Sequence, residues 1–435
     1  MKVLVLNCGS SSLKYQLINM ETDEVLASGK YERIGEKEAF ITHKVNGQKI
    51  EIKNPAYNHS EAIDFTLKQF TNPEYKVIDS LDEINAIGHR VVHGGEIFKE
   101  SAIIDDEAIE NIKKCGEFAP LHNPAAVLGM EACKKVMPGK PMVAVFDTTF
   151  HQTMPKEKYV YPIPYKYYEK YGVRKYGAHG TSHLYVSQRL AEIENKSLEG
   201  TKIVTCHLGQ GSSICAIKDG KSLDTSMGLT PLGGLPMVTR SGDLDPSVVT
   251  YLMKKENLSA QEMEDILNKE SGLSGMSNLK PDFRVIENTS VEGQPDALMA
   301  VETFNYSIAS YIAKYAVAMN GVDYIIFTGG IGENQINIRK GICEKLAFMG
   351  VKIDLDENNM RGEEKVISTP DSTVKVYVIP TNEELMIAKE TLRLVVHLNS
   401  FTRLRDVMVI SCPHILKSPI LDCISQKPVA AGISV

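Results

Sequence analysis

The sequence predicts an α/β protein made of two similar domains, and three observations carry that expectation. A chain of 435 residues is too long for one compact core, so division into two is natural. Apolar runs of strand length alternate with stretches of helical spacing along most of it. One pattern also occurs twice, 200 positions apart: an apolar strand, a turn of small residues and a returning strand. Lys2, Gly9 and Ser12 of the first copy match Lys202, Gly209 and Ser212 of the second.

In the first copy, Lys2–Leu6 runs into Asn7-Cys8-Gly9-Ser10-Ser11-Ser12-Leu13-Lys14, and Tyr15–Ile18 returns. Small turn residues let backbone N–H groups and hydroxyls approach an anion closely, and Lys14 adds positive charge. The tip therefore suits phosphate, although an ordinary serine-rich hairpin would read the same way. Ile84–Val92 and Pro141–Phe146 read as further strands, Ser60–Phe70 and Asp105–Cys115 as helices with acidic first turns. A second block begins near residue 150, where Tyr159–Tyr168 holds Pro162 and Pro164 and is too proline-broken for a helix. The second copy follows at Lys202–Ile217, with its turn at Gly209-Gln210-Gly211-Ser212. A chain that repeats one phosphate-cradling hairpin points to two domains facing each other across a nucleotide.

Further on, Asp296–Asn320 has helical apolar spacing and leads into a strand at Asp323–Thr328 and a turn at Gly329–Asn334. Thr381-Asn382-Glu383-Glu384 has capping-box spacing and opens a helix through about Leu394. Residues 396–435 carry two acids, four Lys/Arg and three prolines without clean periodicity, and read as an appended tail.

Composition narrows the function. With 43% apolar and 24% charged residues and a net charge of −7, the chain reads as a soluble protein without a nucleic-acid-binding surface. No run reaches membrane-spanning length, and the N-terminus lacks a secretory pattern, so no membrane partner is expected. The eight cysteines show no Cys-x-x-Cys pair, which reads as reduced thiols of a cytoplasmic protein.

Common nucleotide signatures are excluded residue by residue. Gly220-Lys221-Ser222 would end a Walker loop, but Cys215 stands where its first glycine should be, and Asp219-Gly220 reads as a hairpin turn. Gly330-Ile331-Gly332 starts like a dinucleotide fingerprint, yet Gln335 replaces the third glycine. His179 and His183 have a zinc-compatible spacing, but Gly180 weakens the helix that it needs, and a loop in which His179 meets a ligand fits better. Arg90, ending an apolar strand, and Arg240, in a small polar loop, are anion-binding candidates. Phosphoryl transfer needs such cations, because guanidinium groups match its spread charge bidentately. Asp147 directly follows a strand and Glu383 follows Pro380-Thr381-Asn382. Either acid could hold Mg²⁺ or orient a nucleophile, and either could be a helix cap.

Seven motifs together resemble the acetate kinase family over about residues 1–395. They are Asn7–Lys14, His89–Gly95, Ala144–His151, His179–His183, His207–Gly211, Thr239–Asp243 and Thr328–Asn334. The resemblance implies duplicated actin-like (ribonuclease H-like) domains facing a nucleotide cleft. It implies one lobe of residues 1–148 plus about 384–395 and another of 149–383. It also implies reversible transfer of the ATP γ-phosphoryl group to acetate, giving acetyl phosphate and ADP, with Mg²⁺ (Mn²⁺ as substitute) and a homodimeric enzyme. Carried over position by position, Arg90 and Arg240 bind acetate and the moving phosphoryl group, Asp147 orients the reacting carboxylate, and His179 bonds the phosphoryl oxygens. His207 and His122 lie on the phosphate side, and Asn7 and Glu383 in the magnesium site. Asn7, Ser10, Ser12 and Lys14 form the first phosphate hairpin, with Gly209, Gln210 and Gly211 in the second. Asp282, Phe283, Arg284, Gly330, Ile331 and Asn334 surround adenosine, while Val92, Leu121 and Pro231 line the methyl pocket. Two positions depart from the family pattern: Gln210 stands where Asn is usual and Ala178 where Phe is common. The alternatives are a propionate or butyrate kinase, separable by comparing acids, and a non-metabolic actin-like ATPase, whose hydrolysis would answer to a protein partner.

Overall fold

The computed structural model describes residues 1–120 and 122–411, with side chains described through residue 398. Leu121 and residues 412–435 lie outside the described residues.

Two mixed sheets organise the chain. The first contains β1 (Lys2–Gly9), β2 (Ser12–Asn19), β3 (Glu24–Glu32), β4 (Phe40–Val45), β5 (Gln48–Lys53), β6 (Ile84–Val91), β7 (Ala102–Ile103) and β8 (Met142–Phe146), in the order β5-β4-β3-β2-β1-β6-β8-β7. The second contains β9 (Lys202–Leu208), β10 (Ser212–Lys218), β11 (Lys221–Thr225), β12 (Tyr324–Thr328), β13 (Lys365–Val366) and β14 (Lys375–Val378), in the order β11-β10-β9-β12-β14-β13. The same five-strand core stands in both. An antiparallel meander, β1-β2-β3 or β9-β10-β11, is followed by two strands parallel to its first, β6 and β8 or β12 and β14. The thin sequence repeat is thus a repeat of topology, the expected duplicated α/β arrangement.

Each sheet is covered on both faces, as parallel strands require. One face of the first buries Leu4, Leu6, Leu17 and Ile87 against helices that include His59–Phe70 and Asn123–Val136. One face of the second packs Val204, Ile325 and Val376 on the long helix Pro295–Met319. The helix that begins at Glu383 returns to the first sheet, where Leu385, Ile387 and Ala388 meet Val3, Val5 and Val143. Gly88 makes this approach possible, because a Cβ there would lie 2.5 Å from Thr391 Oγ1. The helix Gly180–Glu194 does the same for the second sheet through Val186 and Leu190.

Local signals explain most boundaries. Asn58 and Asp105 cap their helices through Glu61 N–H and Ala108 N–H. Asp219 and Gly220 take positive φ angles (52° and 73°) in the two-residue turn between β10 and β11, so this segment is the hairpin expected and not a Walker loop. Four expectations need correction. Short helices at Lys156–Tyr159 and Lys166–Tyr171 flank Pro162 and Pro164, so the prolines break only the middle of Tyr159–Tyr168. Gly329–Asn334 is a short helix, because the Glu333 side chain accepts the Gly329 N–H (2.8 Å). The cap of the last helix is Asn382, whose Oδ1 accepts from Leu385 N–H, and not Thr381. That helix also runs past Leu394 to Ser411, so residues 396–411 continue regular structure.

Candidate active site

Functional side chains collect at the second hairpin tip and at the strand ends that carry Arg90 and Asp147, and Lys14 of the first hairpin acts on Glu383 nearby. Gly9 pairs with Ser12 across the first tip, and a Cβ on Gly9 would lie 2.8 Å from Ser12 Oγ. In the second tip Ser212 Oγ accepts from Gly209 N–H (3.2 Å) and donates to its carbonyl (3.1 Å). The second turn is thus tightened on Ser212, while Ser10 and Ser11 are exposed at the first tip and Gln210 at the second. Asn7 and Lys14 are cross-strand partners at the base of the first hairpin.

Arg90 lies one residue before the end of β6, and Asp147 directly follows the neighbouring strand β8. Parallel pairing therefore brings their ends together. The guanidinium donates twice to the carboxylate, Nε to Oδ1 (3.0 Å) and Nη2 to Oδ2 (2.7 Å). Asp147 is 3% exposed and Arg90 23%, so the pair closes the cleft floor while the cation keeps an open edge. Asp147 also raises the affinity of Arg90 for its proton. Glu383, at the start of the last helix, shares this neighbourhood. Burial raises its pKa to about 6, opposed by Arg90 and Lys14 and reinforced by Asp147 and Glu384.

Arg240 differs. Its Nη1 reaches only the Pro231 carbonyl (3.4 Å) and the Met237 sulfur (3.7 Å), and it has no carboxylate partner among the described residues. Burial lowers its pKa. A Cβ on Gly211 would lie 3.1 Å from this Nη1 and 3.7 Å from His179 Nε2, so the second tip, the free guanidinium and the histidine converge.

His179 takes a left-handed conformation (φ 58°) at the head of the helix Gly180–Glu194. Gly180 is required beside it, since a Cβ there would lie 2.4 Å from the Asp147 carbonyl oxygen. The His179 ring stacks on His207, with centroids 4.2 Å apart. Burial lowers both pKa values, that of His207 to about 4, and neighbouring Arg90 adds to it. His122 precedes the helix Asn123–Val136, and desolvation followed by Arg90 lowers its pKa, with Arg240 acting in the same direction. Both ring nitrogens of His183 are engaged in hydrogen bonds. Its buried ring is satisfied by Thr205 (2.7 Å) and Ser213 (2.8 Å), and no cluster of metal-ligating type occurs among the described residues.

A neighbouring cavity of about 510 Å³ joins Gly209 and Gln210 to Asp282, Phe283 and Arg284, and to Gly330, Ile331 and Asn334. The six residues expected around adenosine thus share one wall system, reached from the second tip. Gln335 and Arg361 complete it, and Arg361 donates to the Asn334 carbonyl (2.9 Å). No motif assigns these two a binding role: Gln335 stands out in the sequence only as the residue that breaks a dinucleotide fingerprint, and Arg361 comes near by packing. Val92 and Pro231 are partly buried at the end of β6 and beside Arg240. Ala178 does not open the wall as its small size suggests: it is 4% exposed and packs on Met227 and Met237. His151, which ends the Ala144–His151 motif, donates from Nε2 to the Ala178 carbonyl (3.0 Å) and accepts at Nδ1 from Ser222 (2.9 Å), fixing the chain before His179.

The model of the acetokinase family matches residues 2–389. The chain belongs to the acetokinase family. Among acetokinase relatives, the acetate kinase of Thermoanaerobacter pseudethanolicus is 56% identical over 397 residues, 91% of this chain and 99% of that protein. The structure of Porphyromonas gingivalis acetate kinase superposes with a TM-score of 0.88 at 47% identity, covering 91% of this chain and 99% of that one. A propionate kinase from Francisella tularensis superposes with a TM-score of 0.83 at 45% identity, covering 90% and 99%. Membership makes this acetokinase chain a phosphotransferase with ATP and ADP as co-substrates. No helix among the described residues is long and apolar enough to cross a membrane.

Proposed function

We propose that this chain catalyses reversible transfer of the ATP γ-phosphoryl group to acetate, giving acetyl phosphate and ADP, by direct in-line displacement. The observation that carries the reading is Arg240, a half-buried guanidinium without a carboxylate partner among the described residues, beside His179 and the second turn. A partly desolvated cation gains when an anion joins it, so the arrangement favours an anionic ligand at the second hairpin. Acetate is already a competent nucleophile at neutral pH, so no strong general base is required. The task is to align two anions and offset their repulsion.

In this reading Arg90 and Arg240 hold the acetate carboxylate and the phosphoryl oxygens. Asp147 keeps Arg90 in place and lies beside the reacting carboxylate. His179, with His207 and His122, donates to phosphoryl oxygens. The first hairpin, through Ser10, Ser12 and Lys14, and the second, through Gly209, Gln210 and Gly211, hold the phosphate chain. Asp282, Phe283, Arg284, Gly330, Ile331 and Asn334 hold adenosine, and Val92 and Pro231 contact the methyl group.

Asn7 and Glu383 suit Mg²⁺. Both offer hard oxygen donors, and Glu383 is a half-buried carboxylate without an ion pair among the described residues, with a raised pKa that a cation would reverse. Two protein donors match the habit of Mg²⁺ of keeping waters and substrate phosphates as its other ligands. When bound, the ion would neutralise phosphate charge, and Mn²⁺ would substitute.

The chain divides into lobes of residues 1–148 plus about 384–395, and 149–383. Hinges near 148–150 and 383–385 let the lobes close and exclude water as a competing acceptor. Family resemblance supports a cytoplasmic homodimer, which sedimentation equilibrium checks. The deciding assay traps acetyl phosphate as its hydroxamate from acetate, ATP and Mg²⁺. ATP hydrolysis indifferent to acetate would overturn the reading.

A further inference from the structure

Behind the two stacked histidines, the structure places hydroxyl groups in series. Thr381 Oγ1 lies 2.8 Å from Ser182 Oγ, which lies 2.8 Å from His207 Nδ1. Separately, Thr205 Oγ1 lies 2.7 Å from His183 Nδ1, His183 Nε2 lies 2.8 Å from Ser213 Oγ, and Ser213 Oγ lies 2.9 Å from His179 Nδ1. Neither series is spent on general packing. Each is buried or half-buried and ends on one of the two rings that face the phosphate turns. The free nitrogens point to those turns, His207 Nε2 lying 4.0 Å from a Cβ built on Gly209 and His179 Nε2 lying 3.7 Å from one built on Gly211.

Each series has two states in which every linking hydroxyl both donates and accepts within it. A hydroxyl has one proton, so one that donates to a ring nitrogen must accept from its other partner, and a neutral imidazole donates from one nitrogen only. In one state Thr381 donates to Ser182, Ser182 donates to His207 Nδ1, and Nε2 carries the ring proton. Likewise Thr205 donates to His183 Nδ1, His183 Nε2–H donates to Ser213, Ser213 donates to His179 Nδ1, and His179 Nε2–H faces the cleft. In the reversed state every donor becomes an acceptor and two lone pairs face the phosphates. An anion stabilises the first state and repels the second.

We propose that Thr381–Ser182 and Thr205–His183–Ser213 are positioning relays that set the tautomers of His207 and His179, so that both present Nε2–H to the phosphoryl group. The inference rests on the phosphoryl-transfer reading of the site and adds residues that do not touch substrate. The low pKa values of these rings agree with it, since neutral imidazoles need a tautomer set for them. Thr381 has a second role in the geometry. Its N–H donates to Glu333 Oε1 (3.0 Å), the same oxygen that accepts the Gly329 N–H (2.8 Å) beside the adenosine cavity. The first relay is thereby anchored to the short helix Gly329–Asn334 expected to bind adenosine.

The test is ¹⁵N NMR of the ¹⁵N-histidine-labelled full chain with Mg²⁺ and the β,γ-imido analogue of ATP, joined to kinetics of isosteric variants. Expected are Nε2–H signals for His179 and His207. Thr381→Val and Thr205→Val should lower kcat about 100-fold, as loss of one aligned donor does, with the KM for ATP within about 3-fold. Thr381→Ser and Thr205→Ser should restore most of it, a rescue that bulk packing would not give. Nδ1–H or imidazolium signals in the active wild-type complex would overturn the relays while leaving the transfer reading intact. Serine variants no better than the valines would do the same. If the wild-type protein makes no acetyl phosphate, both fall.

Discussion

Removing Arg90 separates the catalytic from the structural share of the cleft floor. Arg90→Ala deletes both bonds to Asp147, at 3.0 and 2.7 Å, and leaves a carboxylate that is 3% exposed beside Glu383 and Glu384. Breaking a buried pair by removing one partner costs about 3–5 kcal/mol. Arg90 is 23% exposed, so solvent screening reduces this, and we expect about 1–3 kcal/mol. The catalytic loss is larger. An arginine stabilising transferred phosphoryl charge contributes about 10³–10⁵ in rate, or about 4–7 kcal/mol at 1.36 kcal/mol per factor of ten. Arg90→Lys keeps the charge but not the two-pronged geometry, and should still lose about 100-fold. The double variant Arg90→Ala/Asp147→Asn removes the stranded charge, so it should recover stability in urea denaturation without recovering activity. Acetyl hydroxamate formation measures turnover, and Arg90→Ala activity within ten-fold of wild type would refute the anion-clamp reasoning.

Other expectations concern the histidines, the second turn and the substrate pocket. His89, 1% exposed, has its pKa lowered by burial to about 3, so the unfolded chain binds the extra proton between there and about 6.5. Its share of stability is complete above about 6.5 and is lost as pH falls, by about 2 kcal/mol at pH 5. Urea midpoints measured from pH 7 to 5 should fall less steeply in His89→Gln. Gly211→Ala would put a methyl group 3.1 Å from Arg240 Nη1, and should lower kcat by about 10–100-fold with unchanged thermal unfolding. Propionate should be used less well than acetate, not refused, because a methylene is worth about 1–3 kcal/mol in an apolar pocket. A kcat/KM series over acetate, propionate and butyrate checks this, and a preference for longer acids would reverse the reading of Val92.

The sequence by itself determined what is local or repeated. The two hairpins are legible because apolar alternation and small turn residues act within a dozen positions, and so is the Asp219-Gly220 turn. Arg90 and Asp147 could be singled out because each stands at the end of an apolar run. Tertiary structure alone decided which of these groups meet. Arg90 and Asp147 touch because β6 and β8 are parallel neighbours, and Arg240 and His179 both come close to Gly211 in the second turn. It also decided that His183 is hydrogen-bonded at both ring nitrogens, that Met227 and Met237 fill the space beside Ala178, and that Arg361 and Thr381 belong near the cleft. Chain pattern encodes the period of burial within an element. The partners of a side chain depend on strand order and helix approach, which are settled when distant segments pack.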